Sequence, residues 1–431
     1  MRPVANTPAH TTDWFAELVC SNSLKSVLPT TPAGQLKTEM EALGSVVLKV
    51  AHQHRVPGGE ALCVDRNAFG KAITAEIENH PNIEVVRAEF TPEMLEAEIV
   101  VGRPVILATG PLTTDPLSQW LARVTGRSHL HFYDAVSPTV DASTLDREIV
   151  FAQSRYDKGE GDDYLNCPFE KESYFAFVDA LIAAERVPIR AFEAGGRRDA
   201  EGNGDEGTFL DKLQYFSGCT PIEAIADKGR DSLRFGNFKP VGLKDPRTGR
   251  RPYAALQLRP ENVEKTLYSL VACQNRLRFG EQRRVLRMVP GLENAEFVRY
   301  GVIHRNTYLD APRVLTPQLE MGEVPNLYIA GQLTGVEGYV ESAAMGIYVG
   351  LTLARRLEGL PDIAPPRETA YGALLAHLGD STPRDFAPMN INWGILPDPI
   401  EPTRDKGVKR AAKLQAATEG LMDWRSELGL D

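Results

Sequence analysis

The sequence predicts an α/β fold in which a parallel-sheet layer of the Rossmann type is interrupted by an inserted α+β domain. Three observations carry this. Pro104 to Ala108 is an apolar strand running straight into Thr109, Gly110 and Pro111, as a buried parallel strand does when it ends at a site. Leu327 to Ala330 is a second compact apolar strand, followed at once by Gly331-Gln332-Leu333-Thr334-Gly335 and an alanine- and glycine-rich helical stretch from Ser342 to Leu357. Strand, glycine turn and helix make a junction that faces phosphates or cofactors. Between the two, from Thr208 to Gly291, the texture changes to short helical and extended pieces rich in Arg, Pro and Gly, which reads as an insertion. On this division 1–185 and 295–431 form one discontinuous domain and 186–294 the inserted one.

In chain order, Leu36 to Val50 reads as an amphipathic helix and Ile83 to Val86 as a short strand. Phe169 to Arg186 reads as a helix, and Arg404 to Leu428 as a terminal helix beyond a proline-rich tail that holds Met389-Asn390-Ile391-Asn392-Trp393-Gly394. Glu193 to Gly207 is glycine-rich, charged and almost free of apolar residues, the composition of a surface loop. It contains the one match to the dinucleotide fingerprint G-x-G-x-x-G, Gly202-Asn203-Gly204-Asp205-Glu206-Gly207. No strand precedes that match, and Asp205 and Glu206 would face the pyrophosphate they are meant to receive, so it reads as a surface turn.

At 431 residues and 42% apolar content the chain can bury a large core, and its length favours two or three domains. No apolar run reaches eighteen residues and the first ten are polar, so neither a membrane span nor a signal peptide is expected and the cytoplasm is the expected compartment. Five cysteines, odd in number and never in a CxxC arrangement, argue against a disulfide framework or a metal cage. A net charge of −10 argues against indiscriminate coating of nucleic acid, yet two basic clusters could guide one structured partner: Arg276, Arg278, Arg283, Arg284 and Arg287, and Lys406, Lys409, Arg410 and Lys413.

The most informative string is Phe216-Ser217-Gly218-Cys219-Thr220-Pro221-Ile222-Glu223, followed by Phe235-Gly236-Asn237-Phe238-Lys239-Pro240-Val241-Gly242-Leu243. With it go Phe15-Ala16-Glu17-Leu18-Val19-Cys20-Ser21-Asn22-Ser23, Asp163-Tyr164-Leu165-Asn166-Cys167-Pro168, His304-Arg305-Asn306-Thr307 and Ala330-Gly331-Gln332-Leu333-Thr334-Gly335-Val336-Glu337-Gly338-Tyr339. Together these closely resemble the TrmFO family, in order and over nearly the whole chain. The resemblance implies an FAD-binding Rossmann-like fold of the glutathione-reductase type. It also implies methylation of the T-loop uridine of tRNA at C5, with carbon from methylenetetrahydrofolate, electrons from NADH or NADPH, and bound FAD between them. Uracil C5 is a poor nucleophile, so an enzyme must first add a soft nucleophile at C6, a role that suits a cysteine thiolate.

By the same resemblance Cys219 matches the C6 nucleophile, before a Thr-Pro pair that would start a helix, and Cys20 the second cysteine beside the flavin. Flavin contacts carried over are Gly331, Gln332, Val336, Glu337 and Gly338, with Asn22, Ser23, Thr109 and Gly110 lining the same pocket. His304 is the matched candidate to stack on the folate pterin, while Arg276, Arg278, Arg283 and Arg284 suit tRNA phosphates. No metal and no membrane are implied, and either a monomer or a homodimer fits. Family members open with a strand, G-x-G-x-x-G, a helix and a second strand ending in a ribose-binding acid just before a Met-Arg-Pro string. This chain starts at Met1-Arg2-Pro3, so its first βαβ unit is expected to be incomplete, either through an internal methionine taken as the start or through a real shortening that weakens FAD binding. Two other readings stay open: a flavin enzyme that modifies the wobble uridine, and a flavin-free tRNA-binding remnant.

Overall fold

The computed structural model of the chain describes residues 10–110, 112–126, 130–159, 161–187, 220–380, 386–399 and 403–430. Its first core begins with Thr31, whose hydroxyl accepts the Gly34 N–H and, with Pro32 behind it, opens a helix over Pro32–Ala42. That helix stops at Gly44, held at φ +77°, and Ser45 caps a second helix, Val46–Gln53, through the Leu48 N–H. The single helix expected over 36–50 is therefore two, because a glycine in the left-handed region followed by a serine is both a stop and a start. Both pack with the helices Arg66–Glu78, Tyr339–Leu357, Ala370–Asp380 and Lys406–Leu428 on a three-stranded antiparallel sheet ordered Ser23–Ser26, Ala61–Val64, Arg55–Val56. Leu36, Met40, Leu62, Tyr371 and Trp424 are buried in that core.

One polar group ties its two ends together. Glu39 is buried, and its carboxylate accepts the Ala370 N–H at 2.8 Å, the Tyr371 N–H at 3.1 Å and the Gln35 amide at 3.1 Å. It thus caps the helix Ala370–Asp380 from a distant part of the chain, in addition to the local cap by Thr369, whose hydroxyl accepts the Gly372 N–H at 2.9 Å.

Val105–Leu107 and Leu327–Ile329 pair in parallel, Ile106 opposite Tyr328, with Leu107, Leu327 and Ile329 buried as the two apolar runs predicted. Ile83 and Val86 form no strand; they are 45% and 67% exposed and lie in irregular backbone. A β-forming run with no neighbouring strand to hydrogen-bond has nothing to hold it extended. The helix expected from Phe169 begins at Lys171, since Phe169 is the last residue of the strand Leu165–Phe169, and it ends at Ala183. Among the described residues no helix is long and apolar enough to cross a membrane.

A six-stranded antiparallel sheet organises the second large core, in the order Phe297–Arg299, Thr139–Asp141, Leu267–Leu270, Ala254–Pro260, Leu165–Phe169, Phe151–Ala152. Cys167 stands opposite Leu256 at its centre, and Phe169, Tyr174, Phe177 and Phe238 fill the space beneath. The inserted part, expected over 186–294, thus shares its sheet with segments from 139 to 169. A ribbon of Leu130–Ala135 paired antiparallel with Ile303–Tyr308 carries the chain out to this sheet and back.

The two cores are fastened by buried polar groups. Asn22 donates to the carbonyls of Val64 and Pro260 at 3.0 Å each, Arg66 Nε donates to Glu261 at 2.8 Å, and Arg259 donates to the Ser21 hydroxyl at 2.8 Å. Burial works to raise the Glu261 carboxyl, but Arg66, then Arg259 and Arg299, overcome it and hold it at about 2. Removing one member of such a buried cluster strands the others. Glu261→Ala is expected to lower the unfolding free energy by about 3–5 kcal/mol in chemical denaturation, and an unshifted midpoint would deny the cluster its fastening role. Burial raises Glu39 from 4.5 to about 7, so between those values the folded chain binds the proton that the unfolded chain has released. Stability at this group is then highest below pH 4.5 and is lost as pH rises toward about 7. The difference in unfolding free energy between wild type and Glu39→Gln should carry that slope, and a flat difference across the window would count against it.

Candidate active site

Where the cores face one another they enclose a cavity of about 920 Å³. One wall is built from the loop Phe15–Ser23, the turn Thr109–Gly110, the turn Gly331–Gln332 and the first turns of the helix that starts at Tyr339; the other from Arg259 and the segment Ser269–Gln274 of the six-stranded sheet. Of the residues predicted from sequence, Cys20, Ser23, Thr109, Gly110, Gly331, Gln332, Glu337 and Gly338 line it. Asn22 and Val336 do not: Asn22 is spent on the seam described above, and Val336 is buried where the tail residue Met389 bridges to it.

Cys20 is fixed by its neighbour on the same wall. Its N–H donates to the Tyr339 hydroxyl at 2.8 Å, and the same oxygen stands 3.1 Å from the Cys20 sulfur. Burial, and after it the neighbouring thiol, pushes the Tyr339 phenol well above its ordinary value, so it keeps its proton and can offer it to sulfur. Behind this pair stand Arg66 and Arg299, and both guanidinium groups feel Cys20 and Tyr339. Burial and then Arg66 push Arg299 down to about 10, and its Nε and Nη2 are buried without a partner. Sequence reading did not pick out Arg66, Glu261 or Arg299 as site residues; they meet only through the fold.

The glycine turn is held from below. Gly338, at φ +113°, leaves room that a side chain would close, since a Cβ there would lie 2.5 Å from Glu341 and 2.6 Å from Lys25. Those two form an ion pair at 2.6 Å, with Glu341 fully buried and also accepting the Ile391 N–H. The tail segment around Met389 lies against the turn, Glu337 N–H donating to its carbonyl and Met389 N–H to that of Gly335. Gly110 and Gly346 also line the cavity, with nothing within 4 Å of where a Cβ would stand, so both leave their share of the space to a ligand. With apolar Phe15, Leu18, Phe69, Phe90 and Leu117 on the walls and the Tyr339 helix N-terminus at one side, the cavity suits a long amphipathic ligand with an anionic part, and flavin adenine dinucleotide is such a molecule.

Cys219 lies outside the described residues, as does the loop Gly202–Gly207, but the chain just after Cys219 is described. The Thr220-Pro221 pair does open a short helix, Ile222–Ala226, and the Ile222 N–H donates to the carbonyl of the cavity-lining Gln274 at 2.8 Å. The backbone of His304 sits in the ribbon opposite Asp134; its side chain is outside the described set. Arg278, Arg283 and Arg284 are exposed on the outer face, whereas Arg276 is largely buried and turned toward Glu223 at 3.8 Å. In the second basic cluster Lys413 is likewise internal, donating to the carbonyls of Trp393 and Leu396.

Comparison with known proteins agrees with this geometry. The model of the family described as glucose inhibited division protein A matches residues 4–361. A methylenetetrahydrofolate–tRNA-(uracil-5-)-methyltransferase TrmFO of Desulforudis audaxviator is 48% identical over 100% of this chain and 92% of its own length. The proteins of the same name from Natranaerobius thermophilus and Geobacter sulfurreducens are 47% and 48% identical, each over 98% of this chain and 92% of theirs. Two crystal forms of Aquifex aeolicus GidA share the fold at TM-score 0.60, with 15% and 17% identity over 96% of this chain and 68% and 70% of those chains. The chain belongs to the TrmFO family, within the wider glucose inhibited division protein A family.

Proposed function

We propose that this chain methylates a T-loop uridine of tRNA at C5, taking carbon from methylenetetrahydrofolate and electrons from NADH or NADPH, with FAD bound in the cavity between the cores. The observation that supports this most is the cavity itself. Cys20 and the glycine turns stand on one wall, and the opposite wall carries Gln274, to which the segment leaving Cys219 is anchored. The relatives' shared name, which specifies methyl transfer to uracil C5 from methylenetetrahydrofolate, favours this reading over a wobble-uridine enzyme or a flavin-free remnant.

FAD when bound supplies a ring able to carry a one-carbon unit and two electrons. Gly331, Gln332, Glu337 and Gly338, with Ser23, Thr109 and Gly110, would hold it. The chain's own chemistry is the activation of uracil. The Cys219 thiolate adds to C6, and the electron pair of the C5–C6 double bond makes C5 nucleophilic. Once C5 has taken up the one-carbon unit, a base removes the C5 proton, and that pair forms a double bond from C5 to the new carbon as the bond from that carbon to its carrier breaks. A hydride equivalent, which bound reduced flavin would supply, makes the carbon a methyl group, and the pair pushed back through C5 restores the C5–C6 double bond and expels the Cys219 thiolate. We assign that base to Cys20, whose thiolate the Tyr339 hydroxyl and the nearby guanidinium groups would favour. His304 would stack on the pterin, and Arg278, Arg283 and Arg284 would meet tRNA phosphates, leaving Arg276 to brace the wall against Glu223.

Incubation of the purified chain with a T-arm transcript, methylenetetrahydrofolate, reduced nicotinamide and added FAD, followed by nucleoside mass spectrometry, should show ribothymidine. No product under these conditions would sink the reading. Cys219→Ala should lose roughly 10³-fold or more of the rate while leaving flavin binding in place, and retained methylation would exclude Cys219 as the nucleophile. Cys20→Ala should slow turnover yet still allow trapping of RNA on Cys219.

A further inference from the structure

A column of three aromatic rings stands on the inserted part, outside the cavity. Phe297 packs against that part's core and is stacked on Tyr300, with centroids 5.4 Å apart and 19° between planes; Tyr300 is in turn stacked on Phe279 at 5.3 Å and 30°. Phe279 is 61% exposed. The column is therefore rooted in the core at one end and open to water at the other. A single exposed apolar side chain needs no explanation, but this one is the free end of an ordered stack.

The support beneath it is rigid. The Gln282 amide donates to the carbonyls of Leu277 and Gly301 and accepts the Gly301 N–H, each at 2.8 Å, which ties the helix Phe279–Leu286 to the turn that follows Tyr300. Exposed cations flank the open ring: Arg278 immediately before it, and Arg283 one helical turn on and so on the same face. Arg278 has Glu185 at 3.4 Å, but both are well exposed, and a pair of that kind gives way easily to a stronger anion. Gln274, five residues before Phe279, lines the cavity, so even a fully extended chain would put the Phe279 Cα at most about 18 Å from that of Gln274.

A flat hydrophobic face between two exposed cations is the chemistry that receives an unpaired nucleotide, its base stacking and its phosphates meeting the guanidinium groups. We propose that the open face of Phe279 is a stacking platform for an unpaired RNA base near the target uridine, with Arg278 and Arg283 on the flanking phosphates. The proposal rests on the reading that this chain acts on tRNA. An apolar peptide or a second copy of the chain would use the ring without needing the cations.

The test measures binding of a T-arm stem-loop RNA to the full chain by fluorescence anisotropy at several salt concentrations, with thermal melts to confirm folding. Phe279→Ala should raise Kd roughly 5- to 150-fold without changing the salt slope, whereas Arg283→Ala should reduce that slope by about one. Phe279→Trp should bind as the wild type does and lose indole emission as RNA is added. Wild-type affinity in Phe279→Ala, while the wild type both binds and methylates RNA, would overturn the platform alone and leave the function standing. Conversion from dimer to monomer in Phe279→Ala, seen by sedimentation, would also overturn it by assigning the ring to contact between copies. Failure of the wild type to bind the RNA at all would bring down the functional reading, and the platform with it.

Discussion

Two cores that meet across a cavity cannot keep their spacing by apolar contact alone, because the hydrophobic effect has no preferred direction. Directed groups set it here. Arg66 reaches from a helix of the first core to Glu261 of the second, Arg259 returns to Ser21, and Asn22 bridges carbonyls of both. The same groups surround the loop that carries Cys20. Cys20, which lines the cavity, therefore lies on a segment that the seam holds on both sides. Three guanidinium groups gather around one buried carboxylate there, a concentration of charge that is costly to bury and that holds only while every member is in place.

Much of the frame was legible from sequence because its elements carry their own local signals. The parallel pair Val105–Leu107 and Leu327–Ile329 reads as two apolar runs, buried throughout in the second strand and at Leu107 in the first, and the helix Lys406–Leu428 has its cap in Asp405. The six-stranded sheet was not legible in the same way. Strands as short as Thr139–Asp141 and Phe151–Ala152 carry no periodicity, and they are extended only because Leu267–Leu270 and Leu165–Phe169 pair with them. Ile83–Val86 is the converse case, where β-forming residues find no ladder.

The site divides along the same line. Cysteines and glycine turns announce themselves by residue type, and most of those picked out do line the cavity. The electrostatic frame does not announce itself, since Arg66 and Glu261 are 195 residues apart and Cys20 and Tyr339 are 319 apart. Clustered cations misled in part for a related reason. Arg276 and Lys413 look like surface charge in the sequence, but Arg276 is turned inward toward the Glu223 carboxylate and Lys413 onto backbone carbonyls, partners that only the folded chain supplies.

The link between Glu39 and the amides of Ala370 and Tyr371 spans 331 and 332 residues, and this bears on the order in which the molecule can be made. As the chain leaves the ribosome, the segments of the six-stranded sheet, from Thr139 to Arg299, are complete long before the helix that Glu39 caps has been synthesised. The inserted part can bury its own apolar face early. The first core must wait with Leu36 and Met40 uncovered until Tyr371 and Trp424 arrive. The core that holds Leu36 closes after the six-stranded sheet, so the cavity between the two gains its full walls only once Tyr371 and Trp424 have been made.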